Sequence, residues 1–387
     1  MDFELSEEHR MLRDMVRAFV DKELIPLENA FGPKREIPPD VMTGLQAKTR
    51  EMGLWMLDVP EEYGGAGLDL LSRCIIDEQV GRTALFHWHS HALFGPALRP
   101  VLRYCNEEQK QRFLWPVLRG EIRICFAQTE PDAGSDPASM RTRAVRDGDG
   151  FVINGAKRFI TAAGESDYAQ LMAATDPEKG SKGGITVFMV DLKSPGVTVT
   201  ESWPNITGES LWEIALDNVR VPATNIIGEL GQGFELGQKF LTEARIKAHG
   251  ARSIGAAQRA LDMMIEYSQQ RVTFGQPLSD RQAVQFMIAD SAMEIRMARL
   301  LTYECAWRSD RGEDIRDLSY MVKIQGTEMV TRVVDRAIQI HGGMGVSTEL
   351  PLEHFYREAR AVRINEGATE VLRWRLARNL MRSQKRA

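Results

Sequence analysis

A chain of 387 residues that is 43% hydrophobic can bury substantial cores and is expected to divide into two or three domains. Its 49 basic and 54 acidic side chains leave a net charge of -5, which argues against the basic surface of a nucleic-acid binder. Four scattered cysteines, Cys74, Cys105, Cys125 and Cys305, form neither CxxC pairs nor a disulfide framework, so a reducing cytoplasm is expected.

The N-terminal stretch Met1-Asp-Phe-Glu-Leu-Ser-Glu-Glu8 is acidic where targeting peptides carry positive charge, and no apolar run is long enough for a membrane span. From Leu5 to about Glu121 the periodicity is helical, as in Met11, Leu12, Met15, Val16, Phe19 and Val20, with Ser6 as N-cap. Residues 1–121 therefore read as an N-terminal helical domain, interrupted by the Pro/Gly loop Val59 to Gly67. Within it, His87 and His91 of His87-Trp-His-Ser-His91 are spaced to share a helix face. No glutamate follows the first histidine and no third ligand is evident, so a pocket or interface wall is favoured and no metal is assigned.

Between residues 122 and 230 the texture changes to short β-branched and aromatic runs, expected to form a middle antiparallel β domain. Asn154-Gly155 within Phe151 to Thr161 carries a hairpin signal, and Ile214, Leu216, Val219 and Val221 alternate as in a half-buried strand. After Gly231 the chain is helical, with segments near 234–270, 280–310, 315–341 and 368–383. Residues 231–387 are thus expected to form a C-terminal helical bundle. The expected class is α+β, mainly α.

Four stretches carry candidate chemistry. In Phe126-Ala-Gln-Thr-Glu-Pro-Asp-Ala-Gly-Ser-Asp136 a strand end runs into a turn that leaves Thr129 and Ser135 to meet polar ligand edges, although an ordinary inter-strand turn reads the same way. Ile364-Asn-Glu-Gly-Ala-Thr369 places a lone carboxylate between helical stretches. Glu366 is either a desolvated general base or an acid at a helix N-terminus. Arg271-Val-Thr-Phe-Gly275 offers an arginine fork for a pyrophosphate, or a helix-end arginine with a glycine C-cap. Gln339-Ile-His-Gly-Gly-Met-Gly345 admits the same two readings and lacks the strand-then-helix setting of a dinucleotide fingerprint.

Together these stretches, with Asn154-Gly-Ala-Lys-Arg-Phe-Ile-Thr161 and Asp217-Asn-Val-Arg-Val-Pro222, resemble the acyl-CoA dehydrogenase family over essentially the whole chain. The resemblance implies a helical, β, four-helix-bundle architecture, a homo-oligomer (tetramer, or dimer) and one FAD per subunit. It implies that Phe126, Gln128, Thr129, Phe159 and Thr161 line the flavin. Arg271, Thr273, Phe274, Gln282, Gln339, Gly342, Gly343, Ala368 and Glu370 match positions toward the rest of the cofactor. Ser135, Trp88, His89, Asn365 and Gly367 match substrate positions. Glu366 matches the catalytic base, which takes the α-proton of an acyl thioester while the β-hydrogen leaves as hydride to flavin N5. Arg245 matches an arginine near that base, and Ala244 stands where some relatives place their base instead. The implied product is a trans-2-enoyl-CoA, as in fatty-acid β-oxidation, with electrons passing to an electron-transfer flavoprotein.

Some positions depart from the family pattern. Asn365 stands where many relatives carry an aromatic residue, and Ala368 where many carry threonine. Trp88 and His89 fall on the helix expected to line the acyl channel, so a short, branched or polar acyl group is expected. The alternatives are an oxidase or another flavoenzyme of the same fold, or a flavin-bearing scaffold without catalysis.

Overall fold

A computed structural model of the protein describes residues 4–31, 37–88, 92–98 and 100–384. Its helices are α1 (Glu7–Phe19), α2 (Pro39–Glu51), α3 (Leu70–Val80), α4 (Glu107–Gln109), α5 (Trp115–Leu118), α6 (Gly233–Ala244), α7 (Arg252–Gln270), α8 (Gln282–Asp310), α9 (Arg316–His341), α10 (Leu352–Val362) and α11 (Thr369–Gln384). By contact density the chain forms two units. One contains residues 1–61, 65–94 and 242–387, and the other residues 62–64 and 95–241.

The first unit is helical. Ser6 caps α1 by accepting from the His9 N–H, with Glu7 and Glu8 in the first turn, where the helix dipole favours negative charge. Val16, Phe19 and Val20 are buried as the periodicity predicts. Met11 and Met15 are instead exposed, because the buried stripe of this helix is narrower than its run of apolar residues. Helix α9 packs against α7, α8, α10 and α11, and the shared core includes Ile254, Met264, Ile295, Val330, Val334, Leu352 and Phe355. Buried ion pairs tie the N-terminal helices to this bundle: Arg252 to Asp77 at 2.7 Å and Arg299 to Glu78 at 3.0 Å.

The expected helix over 234–270 is not one regular α-helix. Residues Arg245–Ala251 form a π-helical segment between α6 and α7. Helix α10, outside the helical segments expected from the sequence, fills much of the stretch between Gly345 and Glu366, and its buried face includes Leu352, Phe355, Ala359 and Val362.

The second unit carries an eight-stranded sheet of β1 (Ile124–Ala127), β2 (Arg143–Asp147), β3 (Gly150–Thr161), β4 (Tyr168–Ala174), β5 (Ile185–Asp191), β6 (Val197–Glu201), β7 (Leu211–Pro222) and β8 (Ile226–Ile227). The order is β6-β7-β3-β2-β4-β5-β8, with β1 also on β4. Pairing is antiparallel except for β1 and β2, which each run parallel to β4. Ile214, Leu216, Val219 and Val221 of β7 are buried, as their alternation predicts. Asn154-Gly155 does not make a hairpin: β3 runs straight through it, with a register shift against β7 between Ile153 and Gly155. The reversal lies earlier, where Asp147 pairs with Gly150 around Gly148-Asp149, and Gly148 takes the positive φ of 60° that such a tight turn requires.

Candidate active site

Glu366 lies in the turn between α10 and α11. Its φ is 53° and that of Gly367 is 101°, so two successive residues occupy the left-handed side, an arrangement that persists only when neighbours hold it. Those neighbours are charged. Arg245 Nε donates to the Glu366 carbonyl at 3.0 Å, and Lys323 Nζ donates to the carbonyls of Arg363 at 3.0 Å and Gly367 at 2.8 Å. The Glu366 carboxylate is 17% exposed, and its Oε2 lies 2.8 Å from His249 Nε2.

Arg245 and His249 both come from the π-helical segment, four residues apart, and both are buried. Segments of this kind recur at functional sites, where the widened turn re-aims side chains. The Arg245 guanidinium lies 5.4 Å from the Tyr320 ring centroid, and its Nη1 has no hydrogen-bond partner among the described residues. Burial pulls this guanidinium below its ordinary pKa, with Glu366 and Tyr320 opposing. Burial also pushes Lys323 down to about 7, with Glu366 pulling the other way and Arg245 adding to the fall. At neutral pH the Lys323 amine thus exists in both forms, and even the neutral amine has enough N–H groups for its two carbonyls.

In the second unit, β1 runs out at Ala127 into Gln128 and Thr129. Phe126 stacks near Phe240, with ring centroids 4.7 Å apart, and Gln128 Oε1 is buried with no partner among the described residues. Behind this run sits a buried ion pair: Lys157 Nζ reaches Glu130 Oε1 at 2.8 Å and the Gln128 carbonyl at 3.1 Å. Glu130 also accepts from the backbone N–H groups of Arg141 and Thr142. Burial pushes Lys157 down to about 8 despite the pull of Glu130. Burial raises the Glu130 carboxyl, but Lys157 and the hydrogen bonds outweigh this and leave it below its ordinary value.

A β-bulge sets Phe159. Between Lys157 and Ile160, β3 advances three residues while β7 advances two, and Phe159 takes φ 58°. Its ring is thereby presented outward at 55% exposure, which is what a bulge beside a ligand site does. Thr161 at the end of β3 and Ser135 in the loop are both exposed.

Arg271 caps α7, and the next residues form a two-strand ribbon, β9 (Val272–Thr273) with β10 (Gln276–Pro277). Gly275 is therefore the second residue of a hairpin turn and not a helix C-cap. Phe274 and Gly275 have φ 49° and 81°, and Phe274 is 99% exposed. Arg281 donates to the Thr273 carbonyl at 2.8 Å, bracing the ribbon against the start of α8, where Gln282 is the first residue. Gln339 lies in the last turn of α9, and Gly342 and Gly343 open the single 3-10 turn that follows. Glu370 stands exposed in the first turn of α11, after Ala368.

Of the expected substrate residues, Asn365 and Gly367 flank Glu366 in its turn. Trp88 is 1% exposed and is part of the bundle core, its carbonyl accepting from Arg252 at 2.7 Å, so it is not presented at a surface. His89 and His91 lie outside the described residues. His87 meets a different partner, the buried Glu358 at 2.7 Å, beside the buried His354. A recess of about 260 Å³ beside Arg143, Phe151, Ala174 and Leu230 contains none of the expected site residues.

The sequence reading missed His249, Lys323 and the Glu130–Lys157 pair. The available signals were a histidine four residues beyond Arg245, and lysines inside the otherwise apolar runs of α9 and β3.

Family models for the acyl-CoA dehydrogenase N-terminal, middle and C-terminal domains match residues 6–121, 125–219 and 231–381. The chain belongs to the acyl-CoA dehydrogenase family. It is 37% identical to (R)-benzylsuccinyl-CoA dehydrogenase of Thauera aromatica over 98% of this chain and 97% of that protein. The solved structure of butyryl-CoA dehydrogenase from Megasphaera elsdenii superposes with a TM-score of 0.86 at 31% identity, covering 98% of this chain and all of that one (100%). An FAD complex of PigA superposes with a TM-score of 0.87 at 25% identity, covering 98% and 99% of the two chains.

The acyl-CoA dehydrogenase fold expected from the sequence, with helical N- and C-terminal domains and a middle β domain, is thus the fold observed. The chain is an oxidoreductase acting on acyl-CoA, and the family is FAD-dependent. The residues fit that cofactor. An outward aromatic ring at Phe159 and a buried amide oxygen at Gln128, unpartnered among the described residues, suit a flat, polar-edged ring, and the exposed Phe274 ribbon with Arg271 suits an adenosine pyrophosphate. Among the described residues no helix is long and apolar enough to cross a membrane.

Proposed function

We propose that the protein dehydrogenates an acyl-CoA thioester between its α and β carbons, with Glu366 as the base. The observation that carries this reading is the Glu366 turn: one carboxylate, its carbonyl held by Arg245, the carbonyls of Arg363 and Gly367 beside it held by Lys323, and one carboxylate oxygen held by His249. An α C–H is a very weak acid, so the site must both place a carboxylate against it and stabilise the enolate charge that develops. Glu366 supplies the carboxylate and, in this reading, its backbone N–H meets the thioester oxygen. Phe126, Gln128, Thr129, Phe159 and Thr161 hold the flavin ring, and Arg271, Thr273, Phe274, Gln282, Gln339, Gly342, Gly343, Ala368 and Glu370 are assigned to the remainder of the cofactor. Bound FAD supplies the acceptor for the β-hydrogen and its two electrons.

Ser135, Asn365 and Gly367 are assigned to the substrate, with a short, branched or polar acyl group preferred. The benzylsuccinyl-CoA named for the Thauera relative supports that preference. An electron-transfer flavoprotein is the proposed acceptor and the cytoplasm the proposed compartment, the latter supported by four buried free cysteines. A homo-oligomer, as a tetramer, is supported by the exposed apolar residues Phe286, Met293 and Met297 on α8 and by Phe274. We assign the three domains to residues 1–121, 122–230 and 231–387.

The test is anaerobic bleaching of the flavin by a panel of acyl-CoA thioesters. Bleaching by short or branched members, lost in Glu366→Gln, is the expected result. No bleaching across the panel would leave the fold as a scaffold.

A further inference from the structure

Arg245 and His249 stand four residues apart on the π-helical segment Arg245–Ala251 and so share one face of it, one on the peptide of Glu366 and the other on its carboxylate. His249 is fully buried, and Nε2 lies 2.8 Å from Glu366 Oε2. Helix α9 comes close at this point: a Cβ on Gly326 would stand 2.3 Å from the His249 carbonyl oxygen, so only glycine admits the approach that backs the imidazole's own peptide. The peptide of His249 is thus held close against α9, and the imidazole Nε2 reaches one oxygen of Glu366.

An ionised carboxylate can only accept, so Nε2 carries the hydrogen in this contact. We propose that His249 is a positioning residue for Glu366: it donates to Oε2 and so fixes the plane of the carboxylate that takes the α-proton. This rests on the assignment of Glu366 as the base. The proton moves from the substrate α-carbon to the Glu366 carboxylate, and the C–H electron pair remains on the substrate. His249 gives up no proton in the step; its N–H bond to Oε2 lengthens as the carboxylate loses its charge. The other titratable groups facing this corner are Arg245 on the same segment, Tyr320 and Lys323 on α9, and Glu366, while Glu370 and Glu328 act on Lys323.

A hydrogen bond donated to the charged form favours that form, so removing it raises the carboxyl pKa. His249→Ala is therefore expected to lower the rate of flavin reduction roughly 10- to 100-fold with little change in KM, because the bond it removes is one to the base. The acid limb of the rate's pH profile should move to higher pH. His249→Gln, which keeps an N–H within reach, should recover most of the rate and return the limb toward its original position.

A readout independent of flavin chemistry is the infrared carboxyl band lost in Glu366→Gln: its acid titration should shift upward in His249→Ala. An unmoved limb and an unmoved band would overturn the proposal, as would failure of both His249 variants to fold, which would make the residue structural. If Glu366→Gln itself reduces flavin at the original rate, the base assignment has failed and the proposal fails with it. If Glu366→Gln is inactive while His249→Ala behaves as the unaltered protein, only the proposal fails.

Discussion

Arg245 holds Glu366 by its peptide and not by its carboxylate: Nε donates to the carbonyl at 3.0 Å. The buried guanidinium therefore sets where the turn sits, while Glu366 keeps its charge for chemistry. Arg245→Lys keeps the charge but loses the planar fork and its place over the Tyr320 ring. Flavin reduction should fall roughly 10- to 100-fold, since small displacements of a base are costly. Rapid-mixing kinetics with a bleaching thioester measure this, and a rate within about twofold of the original would count against the clamp.

The sequence made Arg245 and Glu366 legible as a pair because each falls in a matched motif, although 121 positions separate them. It left His249 and Lys323 dark for a physical reason. Their roles depend on partners distant in the chain, Glu366 for His249 and the carbonyls of Arg363 and Gly367 for Lys323, and no periodic apolar pattern encodes such contacts. Phe159 shows the complementary case: its motif marked it, but the bulge that turns its ring outward needs the β7 register and cannot be read from β3 alone. Asn154-Gly155 misled for the same reason, because a flanking strand on each side of β3 absorbs the irregularity.

Lys323 makes stability depend on pH. Its folded pKa of about 7 lies below the ordinary 10.5, so between these values the unfolded chain binds the proton and the folded chain does not. Stability should therefore rise with pH from about 7 to about 10, by at most about 1.4 kcal/mol per pH unit, and this contribution should be flat below that window. Lys323→Met should remove the slope. It should also destabilise the fold, because the carbonyls of Arg363 and Gly367 lose their donor, at a cost on the order of 1–3 kcal/mol each. Denaturant titrations near pH ~6, ~7.5 and ~9 would reveal both effects.

The Glu130–Lys157 pair stands under the Gln128–Thr129 run, so breaking it should affect both stability and cofactor. Glu130→Gln or Lys157→Met alone leaves an uncompensated buried charge and should cost about 3–5 kcal/mol, whereas the double variant should cost less than the sum of the singles. Loss of the Lys157 donor also frees the Gln128 carbonyl, so FAD retention on dilution should weaken in Lys157→Met. Strict additivity in the double-mutant cycle would show that the two charges do not depend on each other.

Gly367 follows the base, and its φ of 101° is one that side chains rarely adopt. A Cβ there would also stand 3.4 Å from Arg245 Nη2 and 3.3 Å from Leu372 Cδ2, so the new methyl would press on the guanidinium that fixes the turn. Gly367→Ala therefore combines backbone strain with a displaced clamp. The strain should cost roughly 1–3 kcal/mol of stability. Activity should fall further than stability does, because the guanidinium beside the new methyl is the one that holds the Glu366 carbonyl. Asn365→Ala, on the other side of the base and with no such φ, is the control: it should alter thioester preference with a smaller loss of stability. Equal loss of stability in both variants, measured by thermal unfolding beside the bleaching rate, would place the constraint in the turn as a whole and not in Gly367.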